Sequence, residues 1–249
     1  MLHRLLNLPL RHQIGSVGDG NKLGRDTWLA KTLQSIPSGQ RILDAGAGQL
    51  QYAGLCSHLR YVSQDFGQYD GTGNRVGLQV GDWDQSGVDI VCDITEIPEP
   101  DESFDAIMCI EVLEHVPYPV DALREFDRLL RPGGRLILTA PFCALTHYAP
   151  HFYQTGYSSY FYLYWMENLG FDVIELVANG NYYEYLAQEM RRLPKVAESY
   201  ANSKLRWYEK AARQILLAAL NRFSARNHSS EELLCYGFHL LAQKRTSSR

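Results

Sequence analysis

The segment Arg41-Ile-Leu-Asp-Ala-Gly-Ala-Gly48 joins a short apolar run to two closely spaced glycines. An apolar run of this length is typical of a strand that is buried on both faces of a sheet. Gly46 and Gly48 can adopt positive φ angles and allow a ligand to touch the main chain. We expect residues 49–58 to form a helix whose free N–H groups face that ligand. The strand, the glycine turn and the helix together predict a nucleotide-binding site.

The kind of nucleotide is indicated by Asp44 and by two motifs that are incomplete. The dinucleotide fingerprint needs a small residue where this chain has Gln51, and the P-loop lysine is absent. A buried carboxylate repels a pyrophosphate but attracts the ammonium and sulfonium groups of S-adenosylmethionine. Opposite unit charges ~4 Å apart gain ~4 kcal/mol at an effective dielectric constant of about 20, before desolvation is subtracted. The segment therefore favours S-adenosylmethionine over NAD.

Acidic residues end the predicted strands that follow along the chain. Asp65 ends a second strand, where a carboxylate suits two ribose hydroxyls, and Phe66 after it either faces the adenine or joins the core. Asp93 ends a third strand and either accepts from an adenine amino group or caps the next turn, with Ile94 as an apolar wall. Glu111 ends a fourth strand. Because ligands of open α/β sheets bind outside the carboxyl ends of the strands, these residues predict one site at that edge.

The composition of the chain argues against several classes of protein. Its 249 residues, of which 45% are hydrophobic and 21% charged, predict a globular fold with a full core. A net charge of −4 argues against a general nucleic-acid binder. The five cysteines have no metal-binding spacing, so we expect reduced thiols and no bound metal. No apolar run approaches the ~20 residues that span a bilayer and no signal peptide is visible, which predicts a cytoplasmic protein.

Taken together, these motifs resemble the class I S-adenosylmethionine-dependent methyltransferases, in the compact branch found in quinone, lipid and polysaccharide biosynthesis. The resemblance covers residues 26–141. The motifs that carry it are Leu43-Asp-Ala-Gly-Ala-Gly48, Asp65, Cys92-Asp-Ile-Thr95, Phe104-Asp-Ala-Ile107, Glu111-Val-Leu-Glu-His-Val116 and Leu130-Arg-Pro-Gly-Gly-Arg135. The family implies a Rossmann-like three-layer α/β sandwich, with a mostly parallel seven-stranded sheet and an antiparallel last strand.

The resemblance also implies a role for each matching residue at the strand ends. Different residues would contact different parts of the methyl donor. The methionine part would lie at Asp44, Gly46 and Gly48. The ribose would lie at Asp65, and the adenine at Asp93 and Ile94. Glu111 would begin the wall near the reacting methyl group. His115 belongs to the loop motif, so we expect it to be structural rather than catalytic. Many members of the family have a third glycine where this chain has Leu50.

An aromatic segment follows Pro141 and is expected to supply the acceptor side of the site. His147 and His151 lie among its rings. They are the candidate general bases for a hydroxyl acceptor, because histidine titrates near neutral pH without perturbation. The predicted activity is methyl transfer to a small-molecule, lipid-linked or sugar-linked acceptor. The alternative is a catalytically inactive subunit or scaffold that binds S-adenosylmethionine.

The chain is predicted to form one domain over residues 1–249, with an N-terminal arm at 1–25 and a helical insertion at 180–232. Asp26 is the expected N-cap of the first helix. The segment Lys204–Arg226 of the insertion has six basic residues against one acid, a surplus of five (6 − 1). An apolar stripe through Tyr208, Ile215 and Phe223 favours a packed surface helix with a solvated basic face. The alternative is a helix that docks on an anionic membrane surface or a protein partner.

Overall fold

The computed structural model describes residues 17–246, which contain seven strands and five α-helices. The strands are β1 (Arg41–Ala45), β2 (Arg60–Asp65), β3 (Ile90–Val91), β4 (Phe104–Ile110), β5 (Leu130–Pro141), β6 (Phe171–Asn179) and β7 (Gly237–Lys244). The helices are α1 (Asn21–Gln34), α2 (Pro119–Leu129), α3 (Ser159–Asn168), α4 (Tyr182–Ala201) and α5 (Trp207–Ala225).

The strands form one sheet in the order β3-β2-β1-β4-β5-β7-β6. The first five in this order pair in parallel, and β7 runs antiparallel to β5. The predicted Rossmann-like α/β fold, with a mostly parallel sheet of seven strands and an antiparallel last strand, is confirmed. Since β3, β2, β1 and β4 are parallel neighbours, their carboxyl ends lie along one edge.

Strand β1 lies inside the sheet and is buried on both faces, as its apolar run predicts. Ile42 and Leu43 have no exposed surface. On one face, Ile42 and Met108 of β4 belong to the same cluster as Leu29 and Leu33 of α1. These two leucines are four residues apart, so both lie on the inner face of the helix. Each buried leucine contributes roughly 1.5–3 kcal/mol to stability.

Two compact units make up the described chain. The first unit consists of residues 27–177 and 237–246 and contains most of the sheet. The second consists of residues 17–26 and 178–236, and in it Ala187 of α4 and Leu217 of α5 share a small core with Val17. The assignment of residues 1–249 to one domain stays a prediction. Residues 1–16 of the predicted N-terminal arm lie outside the described part of the chain.

The helix that the sequence predicts at residues 49–58 is absent, and that prediction is wrong. The segment forms turns and a short 3-10 helix, Ala53–Cys56. Leu50 has a φ of 59°, in the left-handed region, and a residue in that conformation interrupts an α-helix. Within the described residues, no α-helix begins directly after the glycine turn.

The start of the first helix differs from the prediction, and one strand is irregular. Helix α1 begins at Asn21, five residues before the expected cap at Asp26 (26 − 21). Asn179 stabilises the added turn by donating from Nδ2 to the carbonyl and to Oδ1 of Asn21, at 2.9 and 3.0 Å. Strand β5 begins at Leu130 and includes Pro132, Gly133 and Gly134, where its register with β4 shifts after Phe104.

Helix α5 packs through a different face from the predicted one. Leu217 and Ser224 are buried, whereas Ile215 is 71% exposed and Tyr208 and Phe223 are also exposed. The expectation that the predicted apolar stripe packs against the protein is therefore wrong. Within residues 17–246, no helix combines the length and the hydropathy needed to cross a membrane.

Candidate active site

Four acidic residues lie at the carboxyl ends of four adjacent strands. Asp44 is the fourth residue of β1, Asp65 ends β2, Asp93 follows β3 by two residues, and Glu111 directly follows β4. The sheet order places these strands side by side. The structure thus brings all four predicted acids to one edge, where open α/β sheets bind their ligands.

Asp44 is a buried carboxyl group with one strong hydrogen bond. Its side chain is 2% exposed, and the Tyr61 hydroxyl donates to Oδ2 at 2.6 Å. Burial raises the pKa of Asp44 to about 7, the bond from Tyr61 opposes this rise, and the charge of Asp65 adds to it. A bound cation would favour the charged form of Asp44, so the residue is suited to hold a positively charged group.

The glycine turn after β1 requires glycine at both predicted positions. Gly46 has a φ of 79°, and a Cβ there would lie 2.5 Å from Cγ2 of Val112, in the loop after β4. Gly48 has a φ of 53°, and a Cβ there would lie 2.7 Å from Cζ2 of Trp83. Both glycines therefore allow a left-handed turn and the close approach of a neighbouring side chain.

Asp65 connects the glycine turn to the connection between β2 and β3. Its carboxylate accepts from the main-chain N–H groups of Gly48 and Gly67, at 2.9 and 3.0 Å. Gln85 also donates to it from Nε2, at 2.7 Å. A charged carboxylate has about four lone-pair sites, so room remains for a ribose hydroxyl. Sequence reasoning missed Gln85 and Trp83, because both lie in a polar, glycine-rich connection that has no regular pattern.

The predicted adenine-binding residues differ in their surroundings. Asp93 is exposed, and its Oδ1 accepts from the main-chain N–H and the hydroxyl of Thr95, at 2.9 and 2.7 Å. Asp93 therefore caps its own turn, and its adenine role stays a prediction. Ile94 is buried. Phe66 lies edge-on to the ring of His151, with 4.9 Å between centroids.

Glu111 lies where the chain turns after β4. It has a φ of 57°, which is uncommon for a residue with a side chain. Thr139 of β5 donates from Oγ1 to Glu111 Oε1 at 2.9 Å, and the Thr139 carbonyl accepts from the Glu111 N–H at 2.8 Å. These two bonds hold the loop after β4 against the next strand of the sheet.

The two predicted bases lie in different settings. The His151 ring packs on Phe66, directly after Asp65. His147 Nε2 instead lies 3.8 Å from Oε1 of the buried Glu114, and His115 Nε2 lies 3.8 Å from the same oxygen. Sequence reasoning treated His115 as part of the loop motif and assigned nothing to Glu114. Their convergence with His147 depends on the fold of the aromatic segment, which no local pattern predicts.

The aromatic segment is held on the loop after β4 by main-chain bonds. The Glu114 carbonyl accepts from the N–H groups of Tyr153 and Gln154, at 3.0 and 3.1 Å. The buried Tyr157 hydroxyl donates to the Leu113 carbonyl at 2.7 Å. The predicted acceptor side of the site is therefore attached to the strand end that carries Glu111.

Comparison with known proteins finds relatives of this chain. A family model described as a methyltransferase domain matches residues 43–138. A demethylmenaquinone methyltransferase of Clavibacter sepedonicus is 31% identical over 176 residues, covering 67% of this chain and 65% of that protein. A demethylmenaquinone methyltransferase of Mycobacterium tuberculosis is 29% identical over 184 residues, covering 70% of each chain. The chain thus spans 65–70% of the length of these curated relatives.

A solved structure supports the fold. Phosphoethanolamine N-methyltransferase 2 of Haemonchus contortus, in complex with S-adenosylmethionine, superposes with a TM-score of 0.53 at 16% identity, covering 93% of this chain and 54% of that one. At this identity the likeness concerns the fold alone. The sequence relatives and the family model support the predicted enzyme class, a methyltransferase. The chain therefore contains a methyltransferase domain, and its relatives and its fold support a class I S-adenosylmethionine-dependent methyltransferase.

Proposed function

We propose that this chain transfers a methyl group from S-adenosylmethionine to a small-molecule acceptor, which can be lipid-linked or sugar-linked. One observation carries the proposal. Four acidic residues end four adjacent parallel strands around a two-glycine turn, and the central acid, Asp44, is buried. A positively charged adenosyl compound complements this arrangement, whereas the phosphates of a dinucleotide would be repelled.

The proposed donor contacts follow the strand ends. Asp44 with the glycine turn would hold the methionine part, and Asp65 the ribose. Asp93 and Ile94 would lie at the adenine. An orphan polar atom supports a ligand here, because Trp83 Nε1, on the indole that covers Gly48, is buried without a hydrogen-bond partner among the described residues. Such a donor suits an acceptor group of the bound nucleotide.

S-Adenosylmethionine supplies an electrophilic methyl group on a good leaving group. The residues of the chain have three tasks around it. The carboxylate of Asp44 offsets the positive charge, and Glu111 begins the wall beside the methyl group. Alignment of the two reactants can lower the barrier by several kcal/mol. His151 or His147 would accept the proton of a hydroxyl acceptor, whereas a carbon or amine acceptor needs neither.

Calorimetry with S-adenosylmethionine and with S-adenosylhomocysteine tests the donor site. We expect one equivalent of each to bind, and binding to weaken strongly in Asp44→Asn. Asp121→Asn, on the exposed start of α2, is the control and should bind normally. A folded chain that binds neither compound would refute the proposal.

Turnover requires a second experiment with candidate acceptors. The names of the sequence relatives make demethylmenaquinone the first acceptor to test. We expect methyl transfer from the labelled donor to at least one acceptor of this class, and a lower rate in His151→Ala with little change in donor affinity. Donor binding without turnover on any acceptor, together with a stable protein partner, would instead favour the non-catalytic alternative.

A further inference from the structure

Three side chains that could bind a metal ion converge next to the proposed donor site. Glu114 and His115 lie in the loop after β4, and His147 lies in the aromatic segment after β5. One ligand atom from each lies within 4.8 Å of the other two, and each histidine Nε2 is 3.8 Å from Glu114 Oε1. The three residues thus meet although 32 positions separate His115 from His147 (147 − 115).

The other ring nitrogen of each histidine is held by a main-chain carbonyl. His115 Nδ1 lies 2.6 Å from the His151 carbonyl, and His147 Nδ1 lies 2.9 Å from the Leu145 carbonyl. Since a carbonyl can only accept, both Nδ1 atoms carry the proton in the neutral ring. The lone pair of each Nε2 then faces Glu114. A histidine that binds a metal usually makes this kind of bond through its second nitrogen, because the bond fixes the tautomer and the ring.

The three side chains contribute one carboxylate and two imidazoles. Glu114 is 1% exposed, so its carboxylate is largely removed from water. The buried Nε2 of His115 has no hydrogen-bond partner among the described residues. A carboxylate and two imidazole lone pairs repel one another unless a cation or a shared proton lies between them.

We propose that Glu114, His115 and His147 bind a divalent transition-metal cation, with Zn²⁺ as the best-suited ion. Two imidazoles and one carboxylate are a ligand set that Zn²⁺ uses in sites with an open fourth position. The expected absence of a metal was based on cysteine spacing, and this site contains no cysteine. Glu114 is buried and the two histidines are partly buried, which separates the cluster from ordinary surface acids.

The role of the cation is inferred from the position of the cluster next to the proposed donor site. Val112 lies two residues before Glu114 and close to the glycine turn, because a Cβ added at Gly46 would be 2.5 Å from Cγ2 of Val112. His151, whose carbonyl accepts from His115, packs on Phe66 beside Asp65. These contacts place the cluster beside the proposed donor site. The inferred role, which depends on the proposed methyl transfer, is to bind the hydroxyl oxygen of the acceptor.

The metal-bound hydroxyl would lose its proton more readily, because a cation stabilises the oxyanion. The proton passes to His151 or to water. The oxygen then forms a bond to the methyl carbon while the carbon–sulfur bond breaks, and the bonding pair leaves on sulfur as a neutral thioether. In the metal-bound state His147 is a ligand, so the role of base falls to His151.

Metal binding is testable without donor or acceptor. The full chain is stripped with a chelator, titrated with Zn²⁺ by calorimetry, and analysed for bound metal after dialysis. We expect one equivalent per chain, and at least about tenfold weaker binding in Glu114→Gln and in His147→Gln. His58→Gln, whose Nε2 contacts the Ile36 carbonyl outside the cluster, is the matched control and should bind as the wild type does. No bound Zn²⁺, or equal affinity in all four chains, would overturn the site.

The wild-type chain provides a readout that does not depend on the folding of a variant. Co²⁺ bound by these three ligands should give the visible absorption of a four- or five-coordinate nitrogen and oxygen site, and Zn²⁺ should displace it. Absorption from a cobalt–thiolate bond would place the cation on a cysteine and overturn the proposal. Metal binding without donor binding would reject the methyltransferase function and leave the metal site intact. Donor binding and turnover that persist in the chelated chain would keep the function and reject the metal's catalytic role.

Discussion

At the scale of single residues, Asp44 links the stability of the chain to pH. The folded pKa is about 7 and the unfolded value is 3.8. Between these values the folded chain binds more protons than the unfolded chain, so the free energy of unfolding falls as pH rises through this window. Above about pH 7 the loss is complete. A shift of about three units corresponds to a loss on the order of 4 kcal/mol.

The variant Asp44→Asn should therefore be more stable than the wild type at pH 8. Asparagine is neutral at every pH and can still accept the hydrogen bond from Tyr61. Urea unfolding at pH 8 should show a gain of up to about 4 kcal/mol, and the two chains should be close to equal at pH 4. An Asp44→Asn chain that is equally stable or less stable at pH 8 would show that the carboxyl group is not penalised by burial.

Donor affinity should depend on pH in the opposite direction. Only the charged form of Asp44 attracts a cation, so the dissociation constant of S-adenosylmethionine should rise as pH falls below 7, by up to about tenfold per unit. Tyr61→Phe removes the bond that favours the charged form and should move this profile to higher pH. Calorimetry at pH 6, 7 and 8 measures both effects. If the dissociation constant of the wild type does not change with pH, the positive charge of the donor is not held by Asp44.

Several residues of the site are visible in the sequence, and others are not. Asp44 and Asp65 are predictable because each ends a strand whose apolar pattern is local. Gln85 reaches Asp65 from a connection that has no periodic pattern, and His147 reaches Glu114 only through the fold of the aromatic segment. Contacts of this kind depend on loop conformations that are fixed by tertiary structure.

At the scale of secondary-structure elements, the turn after β1 and the loop after β4 pack tightly together. Gly46→Ala should destabilise the chain for two reasons, because its φ is 79° and both Val112 methyl groups lie within 2.6 Å of the new Cβ. Gly39→Ala is a matched control, with a φ of 80° and no atom within 4 Å. Gly39→Ala should lower the free energy of unfolding by about 1–2 kcal/mol, because of the left-handed conformation alone. Gly46→Ala should cost about 1–3 kcal/mol more, measured by urea unfolding.

A double variant separates the cost of the left-handed conformation from the cost of the steric clash with Val112. Val112→Ala removes the two nearest methyl groups, so it should recover part of the additional cost in Gly46→Ala. It should recover nothing in Gly39→Ala. Equal costs for the two glycine variants would mean that the loop after β4 can move away freely.

The elements with local signals are the ones that the sequence predicts correctly. Helix α2 begins at Pro119, and its buried residues Leu123, Phe126 and Leu129 recur at helical spacing. The helix expected at 49–58 fails because Leu50 adopts a φ of 59°, which its residue type does not favour. In β5, Leu130 pairs with Phe104 and the next pair joins Arg135 to Ala106, so Pro132, Gly133 and Gly134 lie in an irregular part of the strand. Neither feature follows from local residue preference.

At the scale of the whole molecule, charge is unevenly distributed. The chain has a net charge of −4, and residues 204–226 contribute +5, so the remainder carries −9 (−4 − 5). In this basic segment Trp207 is 81% exposed and Ile215 is 71% exposed. We propose that α5 binds an anionic lipid surface, because exposed aromatic and aliphatic side chains next to basic residues suit the headgroup region.

Sedimentation with lipid vesicles tests this surface. The chain should pellet with anionic vesicles at low salt, remain in the supernatant with zwitterionic vesicles, and lose binding as salt screens the charges. Trp207→Ala with Ile215→Ser should weaken retention. Tyr160→Ala, an exposed aromatic change on α3, is the control and should not. Absence of pelleting at low salt would exclude a lipid surface, and retention by a protein partner would point to the other alternative.

The chain enters and leaves its helical insertion at neighbouring points. The Asn179 carbonyl accepts from the Tyr236 N–H at 2.9 Å, so the 56 residues between them (236 − 179 − 1) form a loop with closed ends. Such a junction lets evolution lengthen, shorten or exchange the intervening helices without altering the strands on either side. The proposed lipid-binding surface and the sheet that carries the candidate site can therefore diverge at separate rates, so that relatives can acquire new cellular locations while retaining the same chemistry.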